Sequence, residues 1–138
     1  SHYDHSKSND MLCDILKVKL AMHESEQDLL ICSHQPEILL YDNQNIKLNG
    51  ILFSILHTPG HTKGSICLLF SKFVITGDTL FAGSIGRTDL NSGNETDMIN
   101  SIKKLKKLNP NLIVYPGHGM QTTIKNEIKL NPYLCLNC

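Results

Sequence analysis

The 138-residue chain has no surplus of charge: thirteen Lys and Arg balance thirteen Asp and Glu. A formal net charge of zero provides no global field to draw the protein to nucleic acid or an anionic membrane, so a small, locally recognised partner is expected. No apolar run approaches the roughly 20 residues needed to cross a bilayer. The first residues are polar and histidine-rich, unlike a secretory signal, and the start reads as cut, not processed. Internal repeats, low-complexity stretches and Gly/Ser linkers are absent, and 41% hydrophobic residues suffice for one packed domain spanning 1–138. Cysteine is sparse and odd in number, at five. Cys13, Cys32 and Cys67 fall singly in apolar or mixed segments, the usual place for buried reduced thiols, which suits a reducing cytoplasm. Cys135 and Cys138 have CxxC spacing, but a lone pair outside a βαβ context is weak evidence for zinc or redox chemistry.

What is present alternates between strand and helix patterns. Ser8 can cap a helix from about Asn9 to Lys17 whose apolar face carries Met11, Leu12, Ile15 and Leu16. Short strands are expected at Val18–Met22, Ile38–Tyr41 and Ile46–Leu48, the last two joined by Asp42-Asn43, with a helical stretch at Glu24–Leu30. Ile51–Leu56 is an apolar strand that stops at His57-Thr-Pro-Gly-His61, and the pair Ser65–Phe70 and Phe73–Thr76 ends on Gly77-Asp78. Thr96 or Asp97 then opens a helix with Ile99, Ile102, Leu105 and Leu108 inward and Lys103, Lys104, Lys106 and Lys107 on a solvated face. Strand Leu112–Tyr115 runs into Pro116-Gly117-His118-Gly119, and a helix from about Thr123 to Leu130 follows. The class is α/β.

Three ligand-type side chains, His61, Asp78 and His118, each lie just beyond an apolar strand and each follows a glycine. Loops at strand ends are where a rigid sheet presents reactive groups, and glycine lets the backbone turn sharply enough to aim the next side chain inward. The three are expected to converge. A further cluster, His2-Tyr-Asp4-His5, opens the chain. Imidazole and carboxylate donors without thiolates suit a catalytic rather than a structural metal site. Each histidine taken singly reads more readily as a satisfied polar residue or part of an expression scar; the recurrence of the pattern is what points to a metal.

In order along the chain, Ser-His2-Tyr-Asp4-His5, Thr58-Pro-Gly-His61-Thr-Lys-Gly-Ser65, Thr76-Gly-Asp78-Thr79-Leu80-Phe81 and Tyr115-Pro-Gly-His118-Gly119 resemble the ordered motifs of the metallo-β-lactamase superfamily. The loop Phe81–Leu90 and the tail Thr122–Pro132, with Glu127 and Asn131, resemble its glyoxalase II-like branch. The resemblance implies an αββα sandwich lacking its first N-terminal strands in this chain. It also implies two divalent metal ions, zinc foremost, with iron or manganese as alternatives. By the same resemblance His2 and His61 hold the first metal with a histidine that would precede Ser1, Asp4, His5 and His118 hold the second, and Asp78 bridges both.

The activity so implied is hydrolysis of a small-molecule thioester, S-D-lactoylglutathione foremost, by a metal-bridging hydroxide that Asp4 would help orient. Two alternatives stand beside it: an iron-dependent persulfide dioxygenase of the same fold, and a non-catalytic fragment or degenerate binding module. Without the preceding histidine and strands, residues 1–138 alone are expected to be impaired as an enzyme. Arg87 is the only arginine; it either binds a substrate carboxylate or pins its loop to Asp89. His57 is read as an ordinary loop histidine or a support for the ligands, and His23 and His34 as structure or surface.

Overall fold

A computed structural model describes residues 6–29 and 33–135. The chain runs α1 (Asn9–Leu16), β1 (Ala21–His23), a 3-10 turn (Glu24–Leu29), β2 (Ile38–Leu40), β3 (Asn45–Leu48), β4 (Ile51–His57), β5 (Ile66–Leu69), β6 (Phe73–Gly77), β7 (Leu80–Phe81), β8 (Ser84–Ile85), α2 (Glu95–Lys106), β9 (Ile113–Pro116), β10 (Thr122–Thr123), α3 (Ile124–Leu130) and α4 (Pro132–Cys135).

Six strands form the central sheet in the order β10-β9-β6-β5-β4-β3. β3, β4, β5 and β6 are antiparallel neighbours, while β6 and β9 pair in parallel through the α2 crossover. β4, β6 and β9 therefore run in the same direction, and the loops that follow them leave one edge of the sheet. Expected and observed strands agree closely here because apolar runs bounded by Gly, Pro and polar turns are decided locally. Pairing is not local: β2 and β3, joined by the Asp42-Asn43 turn, belong to different sheets, and β2 lies parallel to β1.

One face of the sheet carries the core. Leu56, Cys67, Val74 and Val114 from the strands meet Met98, Ile102 and Leu105 of α2, Ile124 of α3 and Leu134 of α4. The inward stripe of α2 is rotated from the expected one: Met98 is buried, whereas Ile99 is 40% exposed. Asn94 rather than Thr96 or Asp97 caps this helix, its side chain accepting from the Asp97 N–H. Thr123 caps α3 by accepting from Asn126 N–H. The lysine face is not uniformly solvated either. Lys104 donates to both Asp42 oxygens at 2.9 Å and to the His57 carbonyl, and Lys106 donates to the Leu134 carbonyl.

The opposite face carries a row of aromatic rings, Phe53, Phe70, Phe73 and Tyr115, in successive contact at 5.1, 4.4 and 5.6 Å. Ile75, Ile113 and Tyr115 on this face remain exposed. The expected inward face of α1 is exposed too. Met11, Leu12, Ile15 and Leu16 all face solvent and only Cys13 is buried. Ser8 makes no side-chain cap; α1 is tied down instead by Asp10, which accepts from the Ser33 and His34 N–H groups and the His34 ring.

Candidate metal centre

The common edge defined by β4, β6 and β9 gathers the loops that carry His61, Asp78 and His118. The geometry confirms convergence of these three: His61 Nε2 lies 3.3 Å and His118 Nε2 3.7 Å from the same Asp78 oxygen, Oδ2. Their exposure is unequal. The side chains of His61 and Asp78 are 6% and 7% exposed, whereas that of His118 is 56% exposed. The site is thus walled on one side and open on the other, and the Phe81 ring meets His118 edge-on at 6.2 Å.

Each loop is held by contacts that local sequence does not reveal. Gly60 has φ +140°, and a Cβ there would lie 2.5 Å from the Met98 backbone, so α2 can press directly on the His61 loop. Asn94 N–H donates to the Gly60 carbonyl at 2.9 Å, and Ser101 Oγ donates to the Pro59 carbonyl at 2.7 Å. From the other side Thr62 Oγ1 donates to buried Glu26, which sits where any side chain at Gly64 would have to go. Gly77, at φ +50°, ends β6 at a register shift. Its carbonyl accepts from Gly117 N–H at 2.8 Å, a bond that sets the Asp78 and His118 loops side by side. For His118 the glycine in the left-handed region is Gly119 at φ +82°, not the expected Gly117.

The orientation of the His61 ring follows from its surroundings. The Arg87 carbonyl lies 2.9 Å from His61 Nδ1 and can only accept, so Nδ1 carries a proton and donates to it, which leaves Nε2 as the ring nitrogen that faces the Asp78 carboxylate. At 3.3 Å a proton or a cation between Nε2 and that oxygen makes the approach favourable. Two imidazole nitrogens around one carboxylate oxygen are donors that suit a first-row divalent metal. Among the described residues, no group of three or more His, Cys, Asp or Glu forms a metal-holding set by itself. The other expected ligands, His2, Asp4 and His5, lie outside the described residues.

Arg87 contributes its carbonyl to the centre while its guanidinium turns away, donating to Asp89 through Nε at 2.6 Å and Nη2 at 2.7 Å. Asp89 is held well below its ordinary pKa, at about 2, by that pairing. Gly86 is fixed in place because a Cβ there would strike the Asp78 carbonyl and approach His61. The tail closes the loop from behind. Glu127, 3% exposed, accepts from Gly83 N–H, Thr122 Oγ1 and Asn131 Nδ2, and Asn131 also donates to the Ser84 carbonyl.

His57 lies below the centre. Its Nε2 donates to the Lys63 carbonyl, its N–H donates to Asp42, and its ring stacks on buried His23 at 3.8 Å. Burial, and secondarily the neighbouring His57, pushes the His23 pKa down. Cys67 is completely buried beside Thr58 and its thiol is pushed up by desolvation to about 11, which makes it inert as a nucleophile.

Residues 1–118 match the family model described as the Metallo-beta-lactamase superfamily. Hydroxyacylglutathione hydrolase GloC of Haemophilus influenzae is 46% identical over 96 residues, covering 67% of this chain and 45% of that protein. The chain thus spans about half the length of the first curated relatives it matches. Among solved structures, BLEG-1 B3 metallo-beta-lactamase superposes with a TM-score of 0.91 at 32% identity, covering 96% of this chain and 73% of that one. ETHE1 from Myxococcus xanthus superposes with a TM-score of 0.80 at 28% identity, covering 91% of this chain and 55% of that one.

Proposed function

Because this chain belongs to the metallo-β-lactamase superfamily, whose members are mostly metal-binding hydrolases, we propose that it is a thioesterase of the glyoxalase II type acting on S-D-lactoylglutathione or a related thioester. The observation that carries the hydrolase reading is the convergence of two imidazoles on the Asp78 carboxylate, with the His61 ring oriented by the Arg87 carbonyl. The thioester is supported by the similarity to GloC.

In this reading two divalent metal ions, zinc foremost, are held by His2, Asp4, His5, His61, Asp78 and His118. Such ions activate water at neutral pH and polarise a carbonyl. The protein's part is orientation. The Arg87 carbonyl orients the His61 ring with Nε2 toward Asp78, the glycines at 60 and 77 set the loops, and the open His118 side admits substrate. Asp4 orients the attacking water. Arg87 pins its loop through Asp89 as it stands and holds a substrate carboxylate only when that carboxylate displaces Asp89 and the guanidinium swings back toward the centre.

The rest of the proposal concerns context. The exposed side chains of Ile75, Ile113 and Tyr115 on the sheet and the exposed apolar face of α1 fit coverage by further polypeptide. Free Cys13, Cys67 and Cys135 fit a reducing cytoplasm, and among the described residues no helix is long and apolar enough to cross a membrane.

A second reading is favoured by one observation, the superposition on ETHE1: oxygen-dependent persulfide oxidation at a single iron. The two separate cleanly. Zinc- and iron-loaded protein is given S-D-lactoylglutathione and, separately, glutathione persulfide. The thioesterase releases thiol without consuming oxygen; oxygen uptake with persulfide and no thiol release from the thioester would overturn it.

A further inference from the structure

A cavity of about 580 Å³ opens between α2, the Gly86–Thr88 loop and α4, and neither His61, Asp78 nor His118 lines it. It backs onto the same loop that holds the metal centre, from the far side. Its size lies in the range of pockets that take small organic molecules.

The walls are apolar where the rest of the helix surface is not. Ile99 and Ile102 of α2 face Ile85 and Leu134 across it. Ile99, on the stripe that helical spacing would turn toward a core, is 40% exposed, and the Tyr133 ring beside it is 49% exposed. Unfilled, this wall leaves apolar surface against water, and an apolar body would remove it.

The charges select the kind of molecule. Arg87 borders the cavity but is neutralised by Asp89. That leaves Lys103 and Lys106, both half-buried at the wall, against the single exposed carboxylate of Glu95 at the helix start. Lys106 is fixed in position by donating to the Leu134 carbonyl at 2.9 Å, which does not cancel its charge. A lysine ammonium beside an apolar surface meets a carboxylate at lower dielectric than in bulk water, which strengthens the pairing. A dianionic or polyphosphate group is disfavoured, because Glu95 opposes a second negative charge at the same mouth.

We propose that this cavity binds a small organic monoanion, a carboxylate on a hydrocarbon or aryl body, with Lys103 and Lys106 on the carboxylate and Ile99, Ile102 and Tyr133 on the body. The site is separate from the metal centre, so the proposal stands whichever reaction that centre performs.

Calorimetric titration with decanoate tests it, with decanol as the uncharged control. Lys103→Glu is compared with Lys107→Glu, an exposed position outside the cavity that carries the same change in net charge. The expected result is saturable one-to-one binding of decanoate, weakened about tenfold or more by K103E, the scale of one lost charge-assisted contact. K107E should leave it unchanged, and decanol should bind more weakly. Lys103→Met, which keeps the stem and removes the charge, replaces K103E if circular dichroism shows that variant misfolded. Absence of saturable binding, equal responses to K103E and K107E, or decanol binding as tightly as decanoate would overturn the proposal.

Discussion

Gly60→Ala tests whether α2 sets the position of the His61 loop. The added Cβ would lie 2.5 Å from Met98 Cα and Cβ and 2.6 Å from its nitrogen, so it meets backbone that cannot rotate aside. The loop cannot slide outward cheaply, because the Asn94 N–H and Ser101 hydroxyl hold the Gly60 and Pro59 carbonyls. Overpacking of this kind costs about 1–3 kcal/mol. An L side chain at φ +140° adds roughly 1–3 kcal/mol of backbone strain. Reduced freedom of the unfolded chain returns about 0.4–1 kcal/mol. A net loss of about 1–6 kcal/mol, centred near 3, is therefore expected. Gly83→Ala is the control: its φ is +75° and nothing lies within 4 Å of the added Cβ, so only backbone strain applies, about 1 kcal/mol net. Urea unfolding monitored by circular dichroism, with an unchanged slope, gives both values. If G60A loses no more stability than G83A, the contact between α2 and the loop is not rigid and the positioning argument fails.

Other expectations follow from the tail, the buried histidine and the proposed bridge. Glu127→Ala should cost about 2–4 kcal/mol in urea unfolding, because three donors lose a charged acceptor; a loss below about 1 kcal/mol would mean that water replaces it. His23, whose pKa is pushed below 6.5 by burial and then by His57, contributes stability that is intact above pH 6.5 and is lost as pH falls through its folded value. His34 acts in the opposite sense: its pKa is raised by Asp10, so its contribution is full below pH 6.5 and is lost as pH rises through the folded value. Urea midpoints between about pH 8 and 5 should therefore flatten on the acid side in His23→Phe, and an unchanged slope would remove His23 from the account. Asp78→Ala should abolish both bound metal and thioester hydrolysis; full metal occupancy by elemental analysis would contradict its place in the centre.

Sequence patterns marked the strands that end at His57, Gly77 and Pro116 because an apolar run and the turn that stops it are neighbours in the chain. They also marked His61, Asp78 and His118 as a set. Where the reading failed, the missing information was non-local. α1 shows a helical apolar stripe, but Met11, Leu12, Ile15 and Leu16 face solvent because nothing described packs against them. β7, β8 and β10 are two-residue strands, too short for a period to register. Glu26 is an acidic residue in a polar stretch, and only its burial against Thr62 and Gly64 shows that it supports the His61 loop.

Residue patterns alone carried the α/β class, the order of the strands that lead into His61, Asp78 and His118, and the choice of those three side chains as a set. These rest on periodicity and turn chemistry between residues a few positions apart. Tertiary structure decided that the three would meet: β5 reverses between β4 and β6, and β9 lies parallel to β6, so all three loops emerge at one edge. It also decided which ring nitrogen of His61 faces Asp78, because Nδ1 donates to a carbonyl 26 residues away. The orientation of the ring depends on which distant backbone group the fold brings against it, and no local pattern of residue types encodes that.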